Sequence, residues 1–179
     1  MAITAVILAG GASRRMGQDK ALMQVAGRTQ LDRMSALAHE AGCEQVLISR
    51  NGEGFIADEI ADRGPLGGVL SALPHCLYET LLLLPVDMPL LSADALQLLV
   101  EQAGPAYFIN SAMPCVLKNE PALRVYLTEQ LCDDAGDRSV RGVLNWSGAA
   151  AIAWPYDYQL QNTNTPQQWQ RALTFLGEQ

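Results

Sequence analysis

The sequence predicts an α/β fold of three layers, α/β/α, built around a mostly parallel sheet. Three observations carry this. Ile3–Ala9 (ITAVILA) and Thr80–Leu84 (TLLLL) are apolar runs of the kind that form central strands covered on both faces. Strand and helix patterns alternate through the first hundred residues, as βαβ units with right-handed crossovers require. The glycine-rich and acidic stretches follow directly after the apolar runs, where sheets of this type bind ligands beyond the carboxyl ends of their strands.

The elements follow in order. After Ile3–Ala9, Leu31, Met34, Leu37 and Ala38 recur at helical spacing and Gly42 is the stop. EQVLISRN reads as a second strand ending near Ser49. GPLGGVLSALPHCLYE reads as a helix entered at Pro65 and interrupted by Pro74. TLLLLPVDMP is a buried strand ended by Pro85. SADALQLLVEQAG is a helix with Ser92 as N-cap and Gly104 as C-cap. AYFINSA and MPCVLK read as strands, EPALRVYLTEQL and SVRGVLNW as helices, and AAAIAW as a short strand. A last helix starts with Thr165 at the N-cap and Pro166 in its first turn.

Composition narrows the function. The 179 residues are 49 % hydrophobic and 17 % charged, which suits a single globular domain over residues 1–179. Twelve Lys and Arg stand against 19 Asp and Glu, a net charge of −7. That balance disfavours a nucleic-acid or membrane-surface binder, which needs clustered positive charge. It leaves room for a small phosphorylated ligand held by a local basic loop. Cys43, Cys76, Cys115 and Cys132 form no C-x-x-C pair and only two histidines are present, so free thiols are expected rather than a zinc site. No signal-peptide pattern and no membrane-length apolar run is present, and the expected location is the cytoplasm.

The chemistry lies in the loops. In LAGGASRRMGQDK, Gly10 and Gly11 let backbone N–H groups approach a ligand, and Arg14, Arg15 and Lys20 bring three cations. Phosphate oxygens are the natural target. The spacing matches neither G-x-x-x-x-G-K-[ST] nor G-x-G-x-x-G, and Ser49 replaces the acid a dinucleotide fold needs at the second strand end. Asp87, between Pro85 and Pro89, is either a turn residue or a carboxylate placed to hold Mg²⁺ on a nucleotide. The GPLGG loop beginning at Gly64 is either a tight lead into a helix or a set of donors for a base or phosphate. Asp58 and Asp62 are either solvated charges or acceptors for a base edge or ribose. Asn162 and Asn164 in NTNTP are either turn formers or polar ligands for metal or substrate.

Together these residues resemble a known family. LAGGASRRMGQDK is similar to the L-A-G-G-x-S-x-R-M-G-x-D-K signature of the MobA family of molybdenum-cofactor guanylyltransferases. That family lies within the nucleotidyltransferases of glycosyltransferase-A-like, Rossmann-like fold. GPLGG, PVDMP and NTNTP resemble its later motifs in order, so the likeness spans nearly the whole chain. The resemblance implies transfer of GMP from GTP to the terminal phosphate of a molybdopterin-type cofactor, with release of pyrophosphate and with Mg²⁺ as cofactor. It implies that the backbone of Leu8, Ala9, Gly10 and Gly11 cradles the nucleotide, and that Lys20 holds phosphate. Arg15 would face the departing pyrophosphate and Asp87 would ligate Mg²⁺. Asp58, Ser49, Asn51 and Gly64 would meet the nucleoside. Arg138 or Arg141 would meet the pterin phosphate, unless both are exposed helix charges. Met113 stands where the family often has a basic residue or histidine before proline. The implied partners are GTP, the pterin and acceptor molybdoenzymes or their chaperones.

Rival readings follow from the same residues. A molybdopterin cytidylyltransferase tends to carry Leu-Ala-Ala-Gly where this chain has Leu8-Ala9-Gly10-Gly11, which favours guanine. A sugar-phosphate or polyol-phosphate nucleotidyltransferase and a non-catalytic nucleotide-binding regulator are the alternatives beyond it. The glycine spacing disfavours a dehydrogenase.

Overall fold

The computed structural model describes residues 2–10, 19–60 and 62–177 of the chain. Its strands are β1 (Ile3–Leu8), β2 (Gln24–Val25), β3 (Arg28–Thr29), β4 (Gln45–Ser49), β5 (Thr80–Pro85), β6 (Ala106–Phe108), β7 (Ser111–Lys118) and β8 (Ala150–Ile152). Its helices are α1 (Gln30–Glu40), α2 (Gly64–Ala72), α3 (Ala93–Val100), α4 (Pro121–Cys132), α5 (Val140–Trp146) and α6 (Pro166–Phe175). Six strands form one sheet in the order β4-β1-β5-β7-β6-β8. Only β7 runs against the others, through antiparallel ladders to β5 and β6. The sheet is therefore mostly parallel, as the apolar runs predict.

The period-two alternation of a strand explains the three layers. In β1 and β5, Ala5, Ile7, Leu82 and Leu84 face α1 and α3, meeting Leu31, Met34, Leu96 and Leu99. The intervening Val6, Leu8, Leu81 and Leu83 face the other way, towards Leu66 and Val69 of α2, Leu123 and Leu127 of α4, and Val143 of α5. Both faces of these strands are apolar because both are covered. Helix starts are set locally. Thr29, Ser92, Ser139 and Thr165 each accept from a backbone N–H of the first turn, and Thr165 and Gln168 complete a capping box.

Two boundaries and one hairpin depart from the sequence reading. The α3 helix ends at Val100 with Glu101 as C-cap, before Gly104. Gln102 N donates to Leu99 O, tightening the last turn, and Gly104 is not left-handed. The turn between the two central-segment strands falls at Ile109 and Asn110, so Ser111 and Ala112 belong to β7. Pro114 carries no N–H. The β5–β7 ladder stops at Cys115, and the β6–β7 register shifts beside it. The β2–β3 hairpin has no counterpart in the sequence reading. Ala26 and Gly27 take positive φ at its two-residue turn. Val25 of the hairpin packs on Trp169 of α6, which ties the last helix to the fold.

Gln30, the first residue of α1, is 0 % exposed, and among the described residues neither Nε2 nor Oε1 of its side chain has a hydrogen-bond partner. A buried amide without partners costs about 1–3 kcal/mol. Gln30→Met, which nearly keeps the volume, is expected to raise stability by roughly 1 kcal/mol or more. A higher urea midpoint at unchanged slope is the measurement that checks it.

Candidate functional site

One cleft of about 840 Å³ opens at the carboxyl ends of β1, β4 and β5. The parallel registers explain why three loops converge there. Leu8 pairs with Ser49 on one side and with Pro85 on the other. Two further bonds carry the ladders past the strand ends: Ala9 N donates to Ser49 O (3.0 Å) and Val86 N donates to Leu8 O (3.3 Å). The chain leaves β1 towards α1 on one face of the sheet and leaves β4 towards α2 on the other. The gap between those departures is the topological switch point.

At the β5 side, Lys20 and Asp87 meet. Lys20 Nζ lies 3.4 Å from Asp87 Oδ2 and donates to Asn164 Oδ1 at 2.8 Å. Lys20 opens a 3-10 turn, Lys20–Leu22, whose N-cap is Asp19. The lysine and the aspartate side chains are 12 % and 20 % exposed, so the pair is partly shielded from solvent. Thr163 secures the loop opposite: both its backbone N–H (2.8 Å) and its hydroxyl (3.0 Å) donate to Asp87 O. That double bond from one residue fixes NTNTP against VDMP and brings Asn162 to the cleft wall.

At the β4 side, Ser49 is buried and Gly68 of α2 lies against it, so close that an added Cβ would collide with the Ser49 hydroxyl. The loop after β4 folds back on the strand. Ile56 N donates to Ile48 O, and Arg50 N donates to Ile56 O. Asn51 Oδ1 then accepts from Asp58 N at 3.0 Å. Burial pushes the Asp58 carboxyl above its ordinary value. The Asn51 hydrogen bond works against that rise, and the Asp62 charge adds to it. Gly64 opens α2 with φ of +66°, a left-handed conformation that a side chain would strain.

The structure thus gathers Leu8, Ala9, Gly10, Lys20, Ser49, Asn51, Asp58, Gly64, Asp87 and Asn162 around one cleft, and Lys20 brings Asn164 to it. Gly11, Arg14 and Arg15 lie outside the described residues. Arg138 is engaged elsewhere, donating to Asp133 O (3.0 Å) and lying 3.6 Å from Asp134. Arg141 stands over the Tyr107 ring, 5.0 Å from its centroid. Four further residues of the site were given no role of their own by the sequence, although Asp19 lies in the signature and Met113 was noted as a departure from it. Arg50, Asp19 and Met113 line the cleft, and Thr163 works from behind it. Only the position of Thr163 between Asn162 and Asn164 pointed its way.

Comparison with known proteins gives a consistent result. A family model described as MobA-like NTP transferase domain matches residues 5–150. A molybdenum cofactor guanylyltransferase of Xanthomonas euvesicatoria pv. vesicatoria is 38% identical over 177 residues, 95% of this chain and 94% of that protein. Among solved structures, molybdopterin-guanine dinucleotide biosynthesis protein A from Archaeoglobus fulgidus is 16% identical, with a TM-score of 0.64 over 97% of this chain and 98% of that one. A Mycobacterium tuberculosis H37Rv protein solved in complex with manganese is 18% identical, with a TM-score of 0.65 over 96% and 98%. At those identities the two structures share the fold.

The raised Asp58 carboxyl has a consequence for stability. A carboxyl whose folded pKa lies above its unfolded value binds its proton more readily in the native state. Its ionisation therefore weakens the fold as pH rises from below the unfolded value through the folded one. Asp58→Asn removes that dependence. Chemical denaturation of both proteins is expected to show the difference moving in the variant's favour as the pH rises above the ordinary carboxylate value of about 4. A gap that stays constant with pH contradicts the assignment.

Proposed function

Because the chain belongs to the MobA-like NTP transferase family, we propose that it transfers GMP from GTP to the terminal phosphate of a molybdopterin-type cofactor. The observation that carries this reading is the meeting of Lys20 and Asp87, 67 residues apart, across a cleft whose other end holds Asn51 and Asp58. One end suits polyphosphate and the other a nucleoside. The names of the relatives supply the acceptor.

In this reading an oxygen of the pterin phosphate attacks the α-phosphorus of GTP. The new O–P bond forms as the bond to the β-phosphate oxygen breaks, and pyrophosphate leaves with the electron pair. The acceptor is already ionised at neutral pH, so the protein needs no strong base. Its work is alignment and charge neutralisation. Backbone groups of Leu8, Ala9, Gly10 and Gly11 hold the nucleotide close to the sheet. Lys20 places its ammonium against charge gathering on the phosphates, and Arg15 faces the departing pyrophosphate. Ser49, Asn51, Asp58 and Gly64 hold the nucleoside. The Leu8-Ala9-Gly10-Gly11 run favours guanine. Arg138 is held by Asp133 and Asp134, so of the two arginines Arg141, seated on the Tyr107 ring, is the candidate for the acceptor side.

The described residues contain no cluster of three His, Cys, Asp or Glu side chains suited to a resident metal. A lone, partly exposed carboxylate such as Asp87 fits Mg²⁺ that arrives with the triphosphate and keeps waters and phosphate oxygens as its other ligands. Asn162 and Asn164 stand close enough to the loop of Asp87 to share that task. When bound, the ion neutralises phosphate charge. The manganese complex of the mycobacterial relative supports a divalent ion. The same reading treats residues 1–179 as one nucleotidyltransferase domain. It assigns acceptor molybdoenzymes or their chaperones as takers of the product, and excludes nucleic acid and membrane as partners. It also places the protein in the cytoplasm. Four free cysteines support that location, and among the described residues no helix is long and apolar enough to cross a membrane.

Incubation with each nucleoside triphosphate, Mg²⁺ and molybdopterin is expected to yield the guanine dinucleotide by mass, and a cytosine product would displace the reading. Lys20→Ala and Asp87→Ala are each expected to lower pyrophosphate release on the order of 10²–10³-fold while leaving the thermal midpoint close to wild type. Undiminished turnover by the Asp87 variant would remove its role at the metal.

A further inference from the structure

Arg50 is the first residue after β4 and lies between Ser49 and Asn51. Through Nη2 it pairs with Asp19 Oδ2. The other oxygen of the same carboxylate, Oδ1, accepts from Ala21 N at 3.0 Å and so caps the turn that carries Lys20. One aspartate thus closes the lysine turn with one oxygen and takes Arg50 with the other. The Phe55 ring covers the guanidinium, 5.5 Å from its centroid to the arginine carbon. Phe55 belongs to the segment that folds back to bridge Ile56 to Ser49. The arginine backbone is fixed in that segment, because its N–H donates to Ile56 O at 2.9 Å.

The side chain of Arg50 is 17 % exposed, and its Nη1 is buried with no hydrogen-bond partner among the described residues. A salt bridge that serves stability alone gains little from a desolvated donor left unmatched. The arrangement suits placement. Arg50 spans from the segment that presents Asn51 and Asp58 to the turn that presents Lys20, the two ends of the cleft.

We propose that Arg50 is a positioning residue, a latch that sets the Lys20 turn through Asp19 and couples it to the nucleoside side of the cleft. The identity of the nucleotide rests on the function proposed above. The latch itself is a property of the ligand-free chain. Ordering of the Asn51–Asp58 segment by a bound nucleoside would hold the guanidinium in place, and with it the ammonium that meets the phosphates.

Hydrogen–deuterium exchange on the ligand-free protein tests the latch. In Arg50→Ala, exchange at the Ala21 and Leu22 amides is expected to rise severalfold, with the amides of β1 and β5 unchanged. In the transfer assay the same variant is expected to lose about tenfold or more in kcat with little change in the KM for GTP, because the loss is of alignment rather than ground-state binding. Arg50→Lys, which keeps the charge, is expected to recover part of the rate. Unaltered exchange at Ala21 and Leu22 in a folded Arg50→Ala protein overturns the latch, and an unaltered kcat overturns its part in catalysis. If the wild-type protein transfers no GMP, the function proposed above fails, and the exchange result alone decides the latch.

Discussion

The whole site depends on one backbone register. Leu8 at the end of β1 is bonded on both edges, to the strand that ends at Ser49 and to the strand that ends at Pro85. Interior ladders of this kind sit in a dry core, where an unmade backbone bond is costly. Side chains as far apart in the chain as Lys20, Asn51 and Asp87 can then be held at the edges of one cleft without any long connection between them.

Charge is distributed within that frame in a way that matches a polyphosphate. The lysine ammonium is shared between a carboxylate and an amide oxygen. Neither partner is so deeply enclosed that exchange for a phosphate oxygen would strand a buried charge. The aspartate backbone is held instead by Thr163, through two donors on one carbonyl. Fixing the loop by its backbone leaves the carboxylate available. At the other end, Asp58 N donates to Asn51, and burial raises the Asp58 carboxyl above its ordinary value.

Much of the fold was legible because its causes are local. The apolar runs of β1 and β5, the caps at Ser92 and Thr165, and the left-handed Gly42 after α1 are each decided within a few residues. The candidate site was legible only as a set of loops placed beyond strand ends. That Lys20 touches Asp87 and Asn164 is a consequence of sheet order, which no single segment encodes. The parts that escaped depend on distant partners or on weak signals. Arg50 reads as an ordinary strand-end cation until Asp19, 31 residues away, is set beside it. Ala26 takes the left-handed conformation that sequence rules reserve for Gly, Asn and Asp, so the hairpin had only Gly27 to announce it. The end of α3 was misplaced because a tightened last turn needs no glycine.

The folded-back segment after β4 has a second office. That strand is one of the two at the sheet's edges, and its free margin is a template onto which another chain could add. By bonding Ile56 to Ile48 and Arg50 to Ile56, the segment occupies the last stretch of that margin itself. The same residues that shape the cleft therefore guard the sheet against self-association. The shape of the cleft wall and the cover of the sheet edge are bound to one short piece of backbone, and loosening it for the sake of the first would endanger the second.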